Sequence, residues 1–451
     1  ALNHLKQGYP LGMFPAGEVS TFEEGKLVVD KAWEEGAIKI IKKAGVPVIP
    51  IYFHAKNSQL FYFLSGLSDT LRTAKLPSEL LSQKKRTIRV RIGKPIPVAE
   101  QEKYESLEDF PQFLRRKTYM LANPYAKKAR YLNTKSFAFP KSPEPIIDPV
   151  DVDLLEGEVL NLEEKDALLF QSHSYKIFLA EAADIPNLLL EIGRLREITF
   201  REVGEGTNKS MDLDPYDAYY KHLFLWDGER RKLVGAYRMG MGGEIFPERG
   251  ISGFYINELF RIEPELHEMM AQTIEMGRAF IIKEYQQRPM PLFLLWKGIV
   301  HVTLRYPKHK FLMGGVSISD KFSNFSKSLM IEFMKSHYYD PFIAQYVSPK
   351  KDYKVKLNVA DKDFVFDSTQ ADMNKFDKII DEIEPGELRL PVLMKKYVKQ
   401  NARLVAFNVD PKFNNAVDGL MYIRIADLPE STVKPVMEEF QAELEKKVGG
   451  R

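Results

Sequence analysis

The chain has 451 residues, 44% of them hydrophobic and 28% charged, and it contains no cysteine. These values lie close to the averages for soluble globular domains and exclude a disordered chain, a disulfide scaffold and cysteine-based catalysis. At roughly 150 residues per domain the length argues for two or three domains. No stretch approaches the roughly 18 consecutive apolar residues of a membrane span, so any membrane contact is expected to be peripheral.

The formal charge of +3 hides an asymmetry. Residues 1–130 hold 22 Lys and Arg against 13 Asp and Glu, a net of +9, and the remainder holds 43 against 49. A basic first part joined to a mildly acidic second suggests different partners, and a basic face suits anionic lipid head groups, an acidic carrier protein or nucleic acid.

In chain order, Leu11 to Phe14 reads as a buried strand, Lys31 to Lys43 as an amphipathic helix, and Val46 to Phe53 and Thr87 to Ile92 as further strands, the first of them buried. An aperiodic, Pro-rich stretch with Pro140, Pro143, Pro145 and Pro149 predicts a linker over 134–158, between domains at 1–133 and 159–451. Beyond it, strands are expected near Tyr175–Ala180, Leu223–Asp227, Lys232–Met239, Thr273–Ile282, Phe311–Ile318, Ala402–Asn408 and Gly419–Ile425. Helices are expected near Ile185–Glu202, Leu292–Tyr306, Asn324–Ser336, Val392–Gln400 and Lys434–Lys447. Both parts therefore read as α/β.

The first chemical signature is Phe14-Pro15-Ala16-Gly17-Glu18-Val19-Ser20, at an expected strand end, where ligands of open α/β sheets gather. With Val46-Pro47-Val48-Ile49-Pro50-Ile51 it resembles the glycerolipid acyltransferase family, whose block Phe-Pro-Glu-Gly-Thr-Arg-Ser holds the acyl acceptor. The resemblance covers Gly8 to about Pro97 and implies acceptor binding by Phe14, Pro15, Gly17, Glu18 and Ser20. The family's catalytic His-x-x-x-x-Asp is absent: the histidines before the linker are His4 and His54, with Tyr9 and Gln59 at the partner positions. That block is expected upstream of Ala1, which would leave this α/β domain N-terminally incomplete. Val19 replaces the family's phosphate-clamping arginine, which argues against a phosphate acceptor.

The second signature runs from Arg194-Leu195-Arg196 and Phe200 through Asp212, Asp214-Pro215-Tyr216-Asp217 and His222-Leu223-Phe224 to Val234-Gly235-Ala236-Tyr237-Arg238 and Glu275-Met276-Gly277-Arg278. Leu294-Leu295-Trp296-Lys297-Gly298, Gly314-Gly315-Val316-Ser317 and Phe407-Asn408-Val409-Asp410-Pro411 continue it. The order resembles the acyl-carrier-protein-dependent, GNAT-like N-acyltransferases related to acyl-homoserine lactone synthases, and most of all the ornithine and glycine lipid synthases that carry a hemolysin label. The resemblance spans Tyr175 to about Leu428 and implies a GNAT-like mixed α/β domain. It also implies a buried donor-pocket network of Arg194, Arg196, Asp214, Asp217 and Arg238. Glu275 at a strand end is expected to be the general base, beside Arg278, with Glu205 next in line for the role.

The pyrophosphate loop of coenzyme-A-using relatives is missing, because Arg278 is followed by Ala-Phe-Ile-Ile-Lys-Glu-Tyr. Acyl carrier protein is therefore the expected donor, ahead of acyl-CoA, with no bound cofactor. Gly240-Met241-Gly242-Gly243 lacks phosphate-cradle spacing and reads as a hairpin turn. No His-Glu-x-x-His, Gly-x-Ser-x-Gly or P-loop occurs, and the scattered histidines argue against a metal. His222 and His301 are expected to pack at a strand or helix edge.

The resemblance implies transfer of a 3-hydroxyacyl chain to the amine of ornithine or glycine by the second domain. The first domain would then O-acylate the lyso-lipid, on the cytoplasmic face of an anionic membrane and without a nucleic-acid partner. The alternatives are a lysophospholipid acyltransferase with a carrier-binding second domain, and a hemolysin-like membrane-binding protein. No long amphipathic element supports the latter.

Overall fold

A computed structural model describes residues 1–23, 27–55, 57–67, 69–82, 87–104, 106, 108–122, 143–357, 362–363, 365–366, 369–384 and 388–449. The chain forms two units: residues 1–130, 323–326 and 358–389 in one, residues 131–322, 327–357 and 390–451 in the other. Residues 358–389, which lie within the expected domain 159–451, fall in the first of these units. The helix Met373–Ile383 buries Phe376, Ile379, Ile380 and Ile383, and its end is tied by ion pairs of Lys94 with Asp381 and Lys117 with Glu382. Residues 134–142 of the expected linker lie outside the described residues, and a helix, Val152–Glu164, occupies its last part.

In the first unit, β1 (Thr21–Glu23) pairs antiparallel with β2 (Leu27–Val29), and β3 (Ile51–His54) with β4 (Arg89–Ile92). The expected helix is present as Glu35–Ala44. The expected strand at Leu11 to Phe14 does not form. Its ends are Pro10 and Pro15, and its Leu11 and Phe14 side chains are exposed. The strand expected from Val46 starts only at Ile51, because Pro47 and Pro50 lack the amide donors a ladder needs. Among the described residues β3 pairs with β4 alone, so Ile51, Phe53 and Ile92 remain exposed rather than buried.

The second unit is built on one eight-stranded sheet. Its strands are β5 (Leu168–Ser172), β6 (Tyr175–Glu181), β7 (Lys221–Asp227), β8 (Lys232–Met241), β10 (Thr273–Ile281), β11 (Phe311–Ile318), β13 (Arg403–Asp410) and β14 (Ala416–Arg424). The spatial order is β13-β14-β11-β10-β8-β7-β6-β5. A separate pair joins β9 (Phe260–Ile262) to β12 (Val347–Pro349). All neighbours in the large sheet are antiparallel except β10 and β11, which run parallel.

Both faces are covered, so the central strand β7 is buried at every residue, as a two-sided core strand must be. Helix Pro186–Val203 lies on one face, where Leu188, Ile192 and Phe200 pack with Phe178, Phe224, Ala236 and Phe280. Helix Pro289–Arg305 lies against β5 to β8. It buries Leu294, Leu295, Ile299 and Val302. Among the described residues no helix is long and apolar enough to cross a membrane.

Candidate functional site

Register gathers the polar residues on one face. Gly240 stands opposite Glu275 and Arg238 opposite Gly277, and Glu275 is level with Met313 on β11. Two-residue steps along β11 lead to Gly315 and Ser317, opposite Leu420 and Asp418, and Asp418 stands opposite Asn408. Partners across a ladder point the same way and successive residues alternate. Arg238, Glu275, Ser317, Asp418, Asn408 and Asp410 therefore share the face on which Ala236 meets helix Pro186–Val203.

On that face the sheet opens. β10 and β11 pair from Thr273 with Phe311 to Met276 with Gly314, and beyond that point no ladder joins them although both strands continue. β10 bulges there, with Arg278 in the left-handed region at φ 52°, a strained conformation of the kind that gathers at functional sites. A Cβ on Gly277 or Gly315 would meet open space, and Gly315 is exposed. The result is a groove with a glycine floor in midsheet.

Beside the groove lies a buried charge network. Arg196 donates from Nε to Asp212 at 3.0 Å and from Nη1 and Nη2 to Asp217 at 2.7 and 3.2 Å. Arg238 donates to Asp214 at 2.6 Å and lies 3.2 Å from Asp217. Arg278 donates to Asp214 at 3.2 Å, with its Nε 3.2 Å from Asp212 but misaligned for a hydrogen bond. Three guanidinium groups thus offset three carboxylates, the condition under which buried charge is tolerated.

Burial pushes the Asp217 carboxyl up, but Arg196 and Arg238 outweigh it and hold the carboxyl well below its ordinary range. The loop is shaped for this. Asp214 accepts from the Tyr216 amide at 3.0 Å and Asp217 from the Asp214 amide at 2.9 Å, which closes a capped turn over Pro215–Ala218. Tyr216, Tyr220 and Tyr255 surround the Arg238 guanidinium at 5.2–5.6 Å, and Tyr255 and Phe413 sandwich Arg278 at 4.6 and 4.5 Å.

Glu275 is fully buried next to this network. Its carboxylate accepts from the Tyr220 hydroxyl at 2.6 Å and from the Tyr255 and Ile256 amides at 3.1 and 3.0 Å. Burial pushes its pKa up to about 7, against the pull of Tyr220 and Arg238. That value suits a base near neutral pH, but three donors already occupy the carboxylate and hold the Tyr255–Ile256 turn in place.

The other expected residues fall in different places. Arg194 is not part of the network: it forms a bidentate pair with Glu191 at 2.8 and 2.6 Å. At 3.6 residues per turn, positions 194 and 196 point about 200° apart, so both cannot face the sheet. The expected hairpin at Gly240–Gly243 is instead a strand end followed by helix Gly242–Arg249. A Cβ on Gly242 would lie 2.2 and 2.5 Å from the Met270 and Thr273 carbonyl oxygens.

His301 sits inside a helix, fully buried and stacked on Phe170 at 4.7 Å, rather than at an edge. His222 is also buried, with Nε2 3.0 Å from the Asp217 carbonyl. Among the described residues no group of three His, Cys, Asp or Glu could hold a metal ion.

In the first unit, Gly17 turns the chain at φ 65°, its amide donating to the Phe14 carbonyl at 3.1 Å, and the Pro15 carbonyl accepts from the Glu34 amide at 2.7 Å. Glu18 is paired with Lys31 at 2.6 Å and Arg72 at 2.9 Å, and the Lys31 hydrogen bond holds its carboxyl below the ordinary range. Ser20 donates to Asp30, which also accepts from the Tyr119 hydroxyl. Phe14 is 80% exposed beside Phe53.

Tyr220, Tyr255, Phe413 and Asp418 were not singled out from the sequence. An aspartate inside the apolar run Ala416–Arg424 is the one visible signal among them.

The mixed sheet, whose single parallel pair parts in midstrand beside a charged loop, draws β7, β8 and β10 from the part of the chain that matches a GNAT-type acyltransferase. Residues 195–296 match the acetyltransferase (GNAT) domain family and residues 3–127 match the acyltransferase family. The chain belongs to the family of the glycine N(alpha)-acyltransferase of Phocaeicola vulgatus, to which it is 30% identical over 279 residues, 58% of this chain and 83% of that one. It is 33% identical over 208 residues to the Bacteroides thetaiotaomicron protein of the same name, 44% of this chain and 61% of the relative. Its likeness to the lyso-glycine lipid O-acyltransferase of P. vulgatus is 29% over 115 residues, 24% of this chain and 41% of that relative's length. No solved structure matches the chain.

Proposed function

We propose that the second unit joins a 3-hydroxyacyl chain to the amino group of glycine, taking the chain from an acyl-carrier-protein thioester. The observation that carries this reading is the glycine-floored groove where β10 and β11 part, since a thioester laid there meets backbone N–H groups on strand edges that no ladder occupies. The network of Arg196, Asp212, Asp214, Asp217, Arg238 and Arg278 shapes the donor pocket, and Glu275 fixes the Tyr255–Ile256 turn beside it.

A carrier-bound donor is favoured because β10 runs on through Ile281 where a pyrophosphate loop would stand. The names of the relatives favour glycine. An ornithine head would bring a second, side-chain ammonium, and Glu18 at the first unit's turn is not free to pair with it, because Lys31 and Arg72 already hold that carboxylate.

The first unit, through the turn at Phe14, Pro15, Gly17, Glu18 and Ser20, would contribute to O-acylation of the lyso-lipid, with its basic residues against an anionic membrane surface on the cytoplasmic side. The test is expression of this chain in a host without aminolipids, followed by mass spectrometry of the lipids. N-(3-hydroxyacyl)glycine is the expected new species, and acylated ornithine or an unchanged lipid profile speaks against the reading.

A further inference from the structure

We propose that Glu205, Asp410 and Asp418 seat the acceptor's amino group, and that Asp418 takes the proton the amine sheds before it attacks. The inference rests on the thioester reading above and adds the acceptor's site and its base. Asp418 stands in register between Ser317 and Asn408, one pleat, about 7 Å along β11, from the open floor at Gly315. Asp410 lies one step beyond Asn408 on the same face, and Glu205 reaches it through the Ser317 hydroxyl, which donates at 2.8 Å.

Glu205 and Asp410 have local donors. Ser317 serves Glu205, and the Lys412 amide at 2.7 Å and the Tyr255 hydroxyl at 3.3 Å serve Asp410. Asp418 has none: it is 9% exposed, and among the described residues no hydrogen bond or ion pair reaches its carboxylate. A carboxylate nine-tenths buried with no protein donor depends on what enters the opening beside it, and a ligand that brings donors offsets the cost of that burial. Arg278 is the cation facing it, but that guanidinium is committed to Asp212 and Asp214. Lys321 faces Glu205 and Lys412 faces Asp410, but Lys321 donates to the Glu202 carbonyl and Lys412 is paired with Glu258, so among the described residues no ion pair reaches any of the three carboxylates, and together they fit a primary ammonium, which carries one positive charge and three donors.

The chemistry balances without a co-reactant. The ammonium gives one proton to Asp418, and the neutral amine attacks the thioester carbonyl. As the C–N bond forms and the C–S bond breaks, the nitrogen's second proton leaves with the thiolate as thiol. Asp418 then returns its proton to water.

The test compares Asp418→Asn and Glu205→Gln with the wild-type chain in N-acyl transfer to glycine at fixed donor. Asp418→Asn should lower kcat/KM for glycine at least a hundredfold, within the range for loss of a general base, while the thermal midpoint holds or rises. With aminoacetonitrile, an amine already neutral near pH 7, the same variant should lose far less, a difference that a merely structural role would not produce. Glu205→Gln should raise the KM for glycine, and it carries the test by itself if Asp418→Asn fails to fold. Wild-type transfer to glycine with both variants unimpaired, or equal losses with both amines, would overturn this assignment and leave the functional reading intact. A wild-type chain that acylates no amine would overturn both.

Discussion

The buried Glu275 makes the stability of the second unit depend on pH in a direction that its surroundings dictate. Its ordinary value of 4.5 is raised to about 7, chiefly by burial. Between these values the folded protein keeps a proton that the unfolded chain has lost, so stability is greatest below about 4.5 and falls as pH rises through 7. At 1.36 kcal/mol per pH unit the full effect is about 3 kcal/mol, and most of it falls between pH 5 and 8.

Glu275→Gln keeps the shape and an acceptor for the Tyr255 and Ile256 amides but cannot ionise, so this part of the pH dependence should vanish. The assay is urea unfolding followed by tryptophan fluorescence in a Trp33→Phe background. The two remaining tryptophans, Trp226 and Trp296, are buried in the second unit and report on it alone. The difference between the pH 5 and pH 8 stabilities should be larger in the parent than in Glu275→Gln by about 2–3 kcal/mol. Equal slopes in the two proteins would refute the reasoning, because Glu275 would then be ionised throughout.

Asp217→Asn removes the carboxylate that serves both Arg196 and Arg238 and should cost the second unit about 3–5 kcal/mol, read by the same unfolding assay. Arg194→Gln breaks a largely buried pair and leaves Glu191 only the Val150 amide, so it should cost about 1–3 kcal/mol, less than Asp217→Asn. Gly315→Val puts a side chain on the groove floor where an added Cβ has nothing within 4 Å, so acyl transfer should drop at least tenfold while the unfolding midpoint changes little; retained transfer would move the donor elsewhere. Acyl-carrier-protein thioesters should outperform coenzyme A thioesters of the same chain length in kcat/KM, and the advantage should shrink with added salt as exposed charges are screened within about 8 Å.

Legibility differed between the two units for physical reasons. In the second, apolar runs with clear ends gave strands such as Phe311–Ile318 directly, and helix Pro186–Val203 begins at a proline and stops at Gly204. In the first, prolines at positions 10, 15, 47 and 50 interrupt apolar stretches that look like strands. The attachment of 358–389 to the first unit depends on partners nearly 300 positions away, such as Lys94 with Asp381, and leaves no local pattern.

At the site, the ordered arginines and aspartates were visible, but a spacing of two on a helix had already separated Arg194 from Arg196. The groove itself follows from where a ladder stops and where a bulge turns Arg278, and neither is written in hydrophobic periodicity.

Transfer of an acyl group from a thioester to the amine of glycine is tested most directly with the purified 451-residue chain, a 3-hydroxyacyl-loaded carrier protein and nitrogen-15 glycine, the products being read by mass spectrometry. The expected product is an N-(3-hydroxyacyl)glycine that carries the label, together with free carrier thiol in equal amount. Release of carrier thiol with free 3-hydroxy acid and no labelled amide would contradict this transfer.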